Sequence, residues 1–217
     1  MFKKSLTILF FLLLLTGCVS PQAQTENSAA INAYSEFIGG ALNLETDGTP
    51  ISINDLLYYY SHSVIVDGEA ICDRYALFDM NNDNVPELLI ASDRTYILTY
   101  KSGKLYLWWT DEYWSGYSRV LSNGHILHIR PGAAPAHLTY HYLILNNAGE
   151  EMQHIVFEQY DMDEDGTYDY FEFEEDKDLS RDEWLQRTRQ YLSAEEIAWK
   201  EYSYAEAFIK DLSSKAP

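Results

Sequence analysis

Apolar positions repeat with a helical period near both ends of the chain and with a strand-like period between them. Near the N-terminus, four apolar residues would lie on one face of a helix: Ile31, Tyr34, Phe37 and Ile38. Towards the C-terminus, Ser180 with Glu183 and Ser193 with Glu196 have the spacing of a capping box, which predicts a helix start at each serine. The pattern therefore predicts helices at both ends of the chain.

Between these ends, short apolar runs alternate with turn signals at intervals of roughly 8 to 12 residues. Asn123-Gly124 is the clearest turn, because this dipeptide favours the tight connection of a hairpin. A second turn is predicted over Asn146 to Gly149. We expect an α+β domain in which an antiparallel β-meander of about seven to nine short strands is flanked by N-terminal and C-terminal helices.

The charge of the chain narrows its range of partners. The 34 acidic residues outnumber the 15 Lys and Arg residues, which gives a net charge of −19. The excess is concentrated from Glu158 to Glu183, where 13 acidic residues accompany only Lys177 and Arg181. Such a negative potential argues against nucleic acid and anionic membrane surfaces as direct partners. Because these carboxylates repel one another, a divalent cation would stabilise this segment.

The same acidic segment contains the spacing of a calcium-binding loop of the EF-hand type. We call residues 161–172 the second loop; a glycine, Gly166, occupies its position 6, where the chain must turn sharply. Oxygen donors stand at positions 1, 3, 5, 7, 9 and 12: Asp161, Asp163, Asp165, Thr167 through its carbonyl, Asp169 and Glu172. Calcium prefers six to eight hard oxygen ligands, so this spacing predicts calcium as a cofactor. The alternative is an acidic, solvated turn.

The residues on either side of the second loop fit helices or strands. The apolar positions from Met152 to Tyr160 suit a helix as well as a strand, and a helix there would create a helix-loop-helix EF-hand. The residues from Tyr168 to Phe173 are rich in aromatic side chains, which favour strands. We therefore expect strands on both sides.

A related spacing occurs earlier, over residues 79–87, which we call the first loop. Donors stand at positions 1, 3, 5, 7 and 9: Asp79, Asn81, Asp83, Val85 through its carbonyl, and Glu87. Asn84 replaces the glycine at position 6 and tolerates a left-handed backbone, whereas Ile90 occupies position 12. The ligand charge is −3 against −5 in the second loop, so weaker calcium binding is expected. Alternatively, these side chains bond their own backbone in a structural turn.

The residues around the first loop resemble a segment that recurs in secreted and lipid-anchored proteins of Gram-positive type. The segment runs from Tyr75 to Ile90 and reads YALFDMNNDNVPELLI. It is also similar to the calcium loops of FG-GAP and VCBS-type β-propeller repeats. The resemblance implies calcium held between paired strands in an extracytoplasmic protein. The chain is too short, with too few repeats, for a complete propeller.

The N-terminus has the pattern of a lipoprotein signal. Lys3 and Lys4 precede an apolar run, Leu6 to Leu15, that is too short to span a bilayer. The residues Leu-Thr-Gly-Cys ending at Cys18 match a bacterial lipobox, which predicts cleavage before Cys18 and attachment of lipid, palmitate included, to the new terminus. The expected location is the extracytoplasmic face of the cell membrane.

This pattern divides the chain into a signal peptide over 1–17, a lipid-anchored tether over 18–27 and a single calcium-binding domain over 28–217. Cys72 is the only other cysteine, so an internal disulfide in the mature domain is excluded.

A cluster of aromatic residues is a candidate ligand-binding surface: Trp108, Trp109, Tyr113, Trp114 and Tyr117. Exposed rings of this kind stack on sugars, so one hypothesis is a glycan-binding module, which a buried Trp114 would contradict. In the alternative, Trp108 and Trp109 point to opposite faces of one strand and one of them belongs to the core.

Catalytic signals are weak. His125 with His128 would face opposite sides of a strand, and His137 with His141 would lie too far apart for easy chelation of zinc. Carboxylate pairs suited to glycoside hydrolysis arise by chance among 34 acidic residues. The sequence thus favours a binding or interaction module with a protein or glycan ligand. Whether it is an enzyme stays open, and the alternative is an envelope hydrolase with structural calcium.

Overall fold

The structure, a computed structural model, describes residues 21–46, 49–53, 56, 65–66, 69–70, 74–91, 94–111, 116–132, 137–163 and 165–201. Helix α1 (Pro21–Ile38) and helix α2 (Arg181–Leu192) enclose two antiparallel sheets. Three apolar clusters join successive elements, so the layers follow the order α1, first sheet, second sheet, α2. The expected α+β class is confirmed.

The first sheet is a four-stranded meander with one short strand at its edge, in the order β14-β5-β6-β7-β8. Its strands are β5 (Arg74–Phe78), β6 (Glu87–Ala91), β7 (Thr95–Lys101), β8 (Lys104–Thr110) and β14 (Lys200–Glu201). All five residues of β6 are buried, because this central strand has apolar layers on both faces.

The second sheet is a five-stranded meander in the order β13-β12-β11-β10-β9. Its strands are β9 (Tyr117–Val120), β10 (Ile126–Pro131), β11 (His137–Leu145), β12 (Glu151–Tyr160) and β13 (Tyr170–Phe173). Two small hairpins precede both sheets: β1 (Leu44–Thr46) with β2 (Thr49–Ile51), and β3 (Ile65–Val66) with β4 (Glu69–Ala70).

The expected run of short strands is therefore divided between two sheets. Among the described residues, nine strands, β5 to β13, contain four or more residues. The turns predicted at Asn123-Gly124 and over Asn146 to Gly149 connect β9 to β10 and β11 to β12.

Helix α1 covers the outer face of the first sheet. It begins at Pro21, within the predicted tether, and proline suits the first helical position because its missing N–H would be unpaired there. Its apolar stripe packs against residues such as Leu88 and Leu98. The buried Tyr34 hydroxyl donates to the Pro86 carbonyl at 2.9 Å. None of the helices within the described residues is long and apolar enough to cross a membrane.

The two sheets pack through a middle cluster that includes Leu89, Ile97, Val120 and Ile126. Two glycines allow the two sheets to pack this closely. A Cβ at Gly124 would lie 2.3 Å from the Met80 carbonyl oxygen, and one at Gly149 would lie 2.0 Å from that of Trp108. Turns of the second sheet therefore lie directly on the first.

Helix α2 covers the outer face of the second sheet through Trp184, which contacts Phe157 and Phe171. Its start confirms the predicted capping box of Ser180 and Glu183. The helix start predicted at Ser193 is wrong, because Ser193 is the C-cap of α2. The following residues are extended: the Ile197 amide donates to the Val120 carbonyl at 2.9 Å, and Ile197 is buried. Sheet pairing and burial override the local capping signal.

Candidate functional site

Both candidate calcium loops connect the two strands of an antiparallel hairpin. The first loop joins β5 to β6, and the second joins β12 to β13. The expectation of strands on both sides of the second loop is confirmed. Each loop thus begins where one strand ends; position 9 is the first residue of the next strand in the first loop and immediately precedes that strand in the second.

The two loops share one pattern of five hydrogen bonds from backbone amides to side chains. The side chain at position 1 accepts from the backbone amides of positions 5 and 6. The side chain at position 3 accepts from the amide of position 5, the one at position 5 from the amide of position 7, and the one at position 9 from the amide of position 2. In the first loop the acceptors are Asp79, Asn81, Asp83 and Glu87, at 2.8 to 3.1 Å. In the second they are Asp161, Asp163, Asp165 and Asp169, at 2.7 to 3.4 Å.

The backbone at position 6 is left-handed in both loops. Gly166 has φ 90° and Asn84 has φ 70°. Asparagine is one of the few side chains that adopt this region readily, which explains how the first loop keeps the turn without glycine.

The hydrogen bonds draw the acceptor side chains of the second loop together. Ligand oxygens of Asp161, Asp163 and Asp165 all lie within 4.8 Å of one another. Asp161 is buried, whereas Asp163 and Asp165 are exposed. Three carboxylates this close repel one another unless a cation or protons compensate their charge, so the group has the chemistry of a site for a hard divalent ion.

Two other predicted donors of the second loop, Asp169 and Glu172, are not part of this group. Asp169 accepts from the Met162 amide at 3.0 Å, and Thr167 is exposed. Glu172 lies on β13 opposite Glu158, with its carboxylate 3.6 Å from the Lys177 ammonium. The structure therefore brings positions 1, 3 and 5 together and places position 12 in an ion pair with Lys177.

The first loop differs because its position-9 carboxylate is buried. Glu87 is 1% exposed, and its carboxylate accepts from the Met80 amide, Asn81 and the Thr99 hydroxyl at 2.9 to 3.3 Å. Burial, with smaller contributions from the negative charges of Asp83 and Asp79, raises the pKa of Glu87 to about 7. A cation in this loop would favour the charged form.

Two members of the aromatic cluster pack against the middle cluster of the core. Trp108 is 8% exposed, and Trp109 packs against the same middle cluster. A β-bulge opposite Ile97 and Leu98 allows these consecutive side chains to share a face, so the expectation of opposite faces is wrong. Tyr117 is 55% exposed. Tyr113 and Trp114 lie outside the described residues, as do Cys18, Cys72 and the predicted signal.

A row of polar side chains crosses the inner face of the second sheet. His128 pairs with Ser118 on one side and with His141 on the other, and His154 adjoins His141 diagonally. The sequence-based pairing of histidines within single strands missed this row. The antiparallel pairing of β10 with β11 and of β11 with β12 places these histidines side by side, and the spacing within one strand does not contain that information.

Comparison of the chain with protein-family models, with curated proteins and with solved structures gives no match.

Proposed function

We propose that this protein is an extracytoplasmic lipoprotein, anchored at Cys18, that binds calcium through both loops and acts as a binding module for a protein or glycan partner. The observation that carries the proposal is the group formed by Asp161, Asp163 and Asp165, whose ligand oxygens lie within 4.8 Å of one another. The first loop repeats the same five amide-to-side-chain bonds and so forms the same turn, although these bonds by themselves also suit a structural turn.

Calcium suits these donors better than softer ions. All the predicted ligands are carboxylate, amide or carbonyl oxygens, which calcium, magnesium and manganese prefer. Hairpin loops can adjust to the irregular coordination that calcium accepts, whereas magnesium requires near-ideal octahedral geometry. Extracellular calcium is abundant, so dissociation constants of about 10⁻⁴ to 10⁻³ M would suffice.

The exposure of the second loop supports a binding role. Asp163, Asp165 and Asp169 are exposed, and Met162 at position 2 is 68% exposed. An ion held there would keep one side open to solvent. A partner could then complete its coordination with a carboxylate or hydroxyl oxygen.

A thermal melt with and without calcium tests this proposal. If calcium reaches ten to a hundred times the dissociation constant, the native state gains about 1.4 to 2.7 kcal/mol. For a chain of this length the melting temperature should rise by roughly 3 to 8 °C. Magnesium and sodium chloride at matched ionic strength should produce much smaller shifts.

Two double variants complete this experiment, one that changes the second loop and one that serves as its control. Asp163→Asn with Asp165→Asn keeps the one oxygen through which each side chain accepts a backbone hydrogen bond but removes two charges, and it should lose most of the calcium-dependent shift. Glu175→Gln with Glu195→Gln removes two exposed charges outside both loops and should retain the shift. Equal shifts in both double variants, or none in the unmodified protein, would refute calcium binding by the second loop.

Anchoring is tested separately. The full-length chain, expressed in a bacterium with an alkyne-labelled fatty acid, should carry label and sediment with membranes, and Cys18→Ser should do neither. An unlabelled wild-type protein would contradict the anchor without affecting the calcium result.

A further inference from the structure

Two histidine rings meet edge to edge on neighbouring strands of the second sheet. His141 lies on β11 opposite Val156, and His154 lies on β12 opposite Leu143, so the two rings are diagonal neighbours. The His141 Nδ1 atom is 2.9 Å from the His154 Nε2 atom. His141 is 8% exposed, whereas the His154 side chain is 33% exposed. The pair therefore has an inner member and an outer member that solvent can reach.

A carboxylate favours one tautomer of the outer ring. The Glu151 Oε2 atom lies 3.5 Å from the His154 Nδ1 atom. A carboxylate at Nδ1 favours the proton there, so Nε2 carries the lone pair and faces His141. Metal-binding histidines characteristically have this arrangement, in which an outer carboxylate orients the ring and increases the basicity of the coordinating nitrogen.

The inner ring is held in its neutral form. Burial lowers the pKa of His141 to about 4, with further lowering by His154 and Arg130 and an opposing contribution from Glu158. A histidine coordinates a metal only when the coordinating nitrogen carries no proton. Binding of a metal through His141 Nδ1 requires its proton to move to Nε2, which is buried.

Hydrogen bonds also hold the side chains next to the histidine pair, those of Ser118, Asp111 and His128. The Ser118 hydroxyl donates to the Asp111 carboxylate at 2.9 Å, and Ser118 Oγ lies 2.9 Å from the His128 Nδ1 atom. Because the hydroxyl has only one proton, it accepts from His128 Nδ1–H. His128 is thereby fixed, and its ring centroid lies 6.0 Å from that of His141.

We propose that His141 Nδ1 and His154 Nε2 form a site for a first-row transition-metal ion of the zinc and copper group. Nitrogen ligands about 2.0 to 2.1 Å from a tetrahedral zinc ion lie roughly 3.3 Å apart. The observed 2.9 Å thus requires the rings to separate by a few tenths of an ångström and to turn so that both nitrogen lone pairs point at one ion. The remaining coordination positions would be filled by water on the exposed side of His154.

This site is separate from the proposed calcium sites in both position and chemistry. Imidazole nitrogen suits zinc and copper, whereas carboxylate and carbonyl oxygens suit calcium. Its success or failure therefore does not depend on calcium binding. Arg130 opposes a second positive charge near His141, so its removal should strengthen metal binding.

The test is a titration of the chain without its predicted signal and lipidated cysteine (residues 19–217) with Zn²⁺ in saturating calcium, followed by isothermal calorimetry. His154→Gln should weaken Zn²⁺ binding at least tenfold, and Arg130→Gln should strengthen it by about threefold. His125→Gln is the matched control. This histidine lies just before β10 and contacts the Tyr142 hydroxyl at 2.5 Å, so its variant should bind Zn²⁺ as the unmodified protein does. Melting curves without metal confirm that each variant is folded.

Electron paramagnetic resonance of the unmodified domain with one equivalent of Cu²⁺ provides a second readout that needs no variant. The spectrum should contain hyperfine couplings from two imidazole nitrogens, and His154→Gln should retain one. Equal Zn²⁺ affinity in the unmodified and His154→Gln proteins would overturn the proposal. A Cu²⁺ spectrum with oxygen ligands alone would also overturn it.

Discussion

The first and second loops have the same hydrogen-bond pattern in opposite surroundings. In the first loop, Met80, Val85 and Glu87 are buried between helix α1 and the two sheets. In the second loop, the equivalent residues Met162, Thr167 and Asp169 are exposed. The comparison shows that neither a glycine at position 6 nor an acid at position 12 is needed to form the turn. The surroundings decide whether the loop acts mainly as part of the core or as a surface site.

Because of this difference in burial, we expect the first loop to affect mainly the stability of the protein and the second mainly its affinity for an ion. The buried carboxylate of the first loop has three partners within the protein, so it contributes to folding whether or not an ion binds. The exposed carboxylates of the second loop, those of Asp163, Asp165 and Asp169, accept from backbone amides of the same loop. Substitutions at equivalent positions should therefore have unequal effects in the absence of calcium.

The largest difference is expected at position 9. Glu87→Ala would remove a buried acceptor and leave a cavity, so it should destabilise the calcium-free protein by about 2 to 4 kcal/mol. Asp169→Ala, at an exposed position, should cost less than about 1 kcal/mol. Urea denaturation followed by tryptophan fluorescence measures both. Equal losses would contradict the contrast in burial.

The next effect concerns the backbone at position 6. Gly166→Ala should cost about 1 to 2 kcal/mol, because a left-handed conformation is strained for alanine. No atom lies within 4 Å of a Cβ at this position, so the loss would report the backbone alone. Gly166→Asn, which introduces the residue used by the first loop, should cost less than about 0.5 kcal/mol. Chemical denaturation without calcium measures the two losses of stability. Equal losses would mean that the turn can adopt a backbone conformation other than the left-handed one.

Calcium affinity should depend more on Asp169 than on Glu172. Asp169 occupies the position that Glu87 occupies in the first loop, whereas Glu172 pairs with Lys177. We expect Asp169→Asn to weaken calcium binding about fivefold, equivalent to about 1 kcal/mol, and Glu172→Gln to weaken it about twofold. Calorimetric titration of each variant with calcium measures the two affinities. The reverse order would show that position 12 moves into the site when the ion binds.

The smallest effect is expected for the reciprocal change in the first loop. Asn84→Gly should alter stability by less than about 0.5 kcal/mol, since both residues adopt a positive φ. Differential scanning calorimetry on paired samples resolves a change of this size. A loss above about 1 kcal/mol would reveal a side-chain role for Asn84 beyond the turn.

The elements that sequence predicted correctly rest on local chemistry. The capping box at Ser180, the hairpin turn at Asn123-Gly124 and the aromatic strand after the second loop each depend on neighbours within a few residues. Such signals survive because the final packing does not compete with them.

The elements that sequence missed depend on long-range contacts. The segment after Ser193 pairs with Val120 and Leu121 instead of starting a helix, and the side chains of Trp108 and Trp109 share a face because of a bulge. The division of the strands into two sheets also requires knowing which faces meet. Local periodicity carries none of this information, because residues far apart in the chain supply the competing interactions.

The methionine at position 2 of each loop can report the exposure of that loop through its rate of oxidation. Met80 is 5% exposed and Met162 is 68% exposed. Mild peroxide should therefore convert Met162 to its sulfoxide before Met80, with little disturbance because that side chain already lies in water. Oxidation of Met80 would require the contact between the first loop and the turn at Gly124 to open. The delay between the two oxidations would measure how often the two sheets separate at this point.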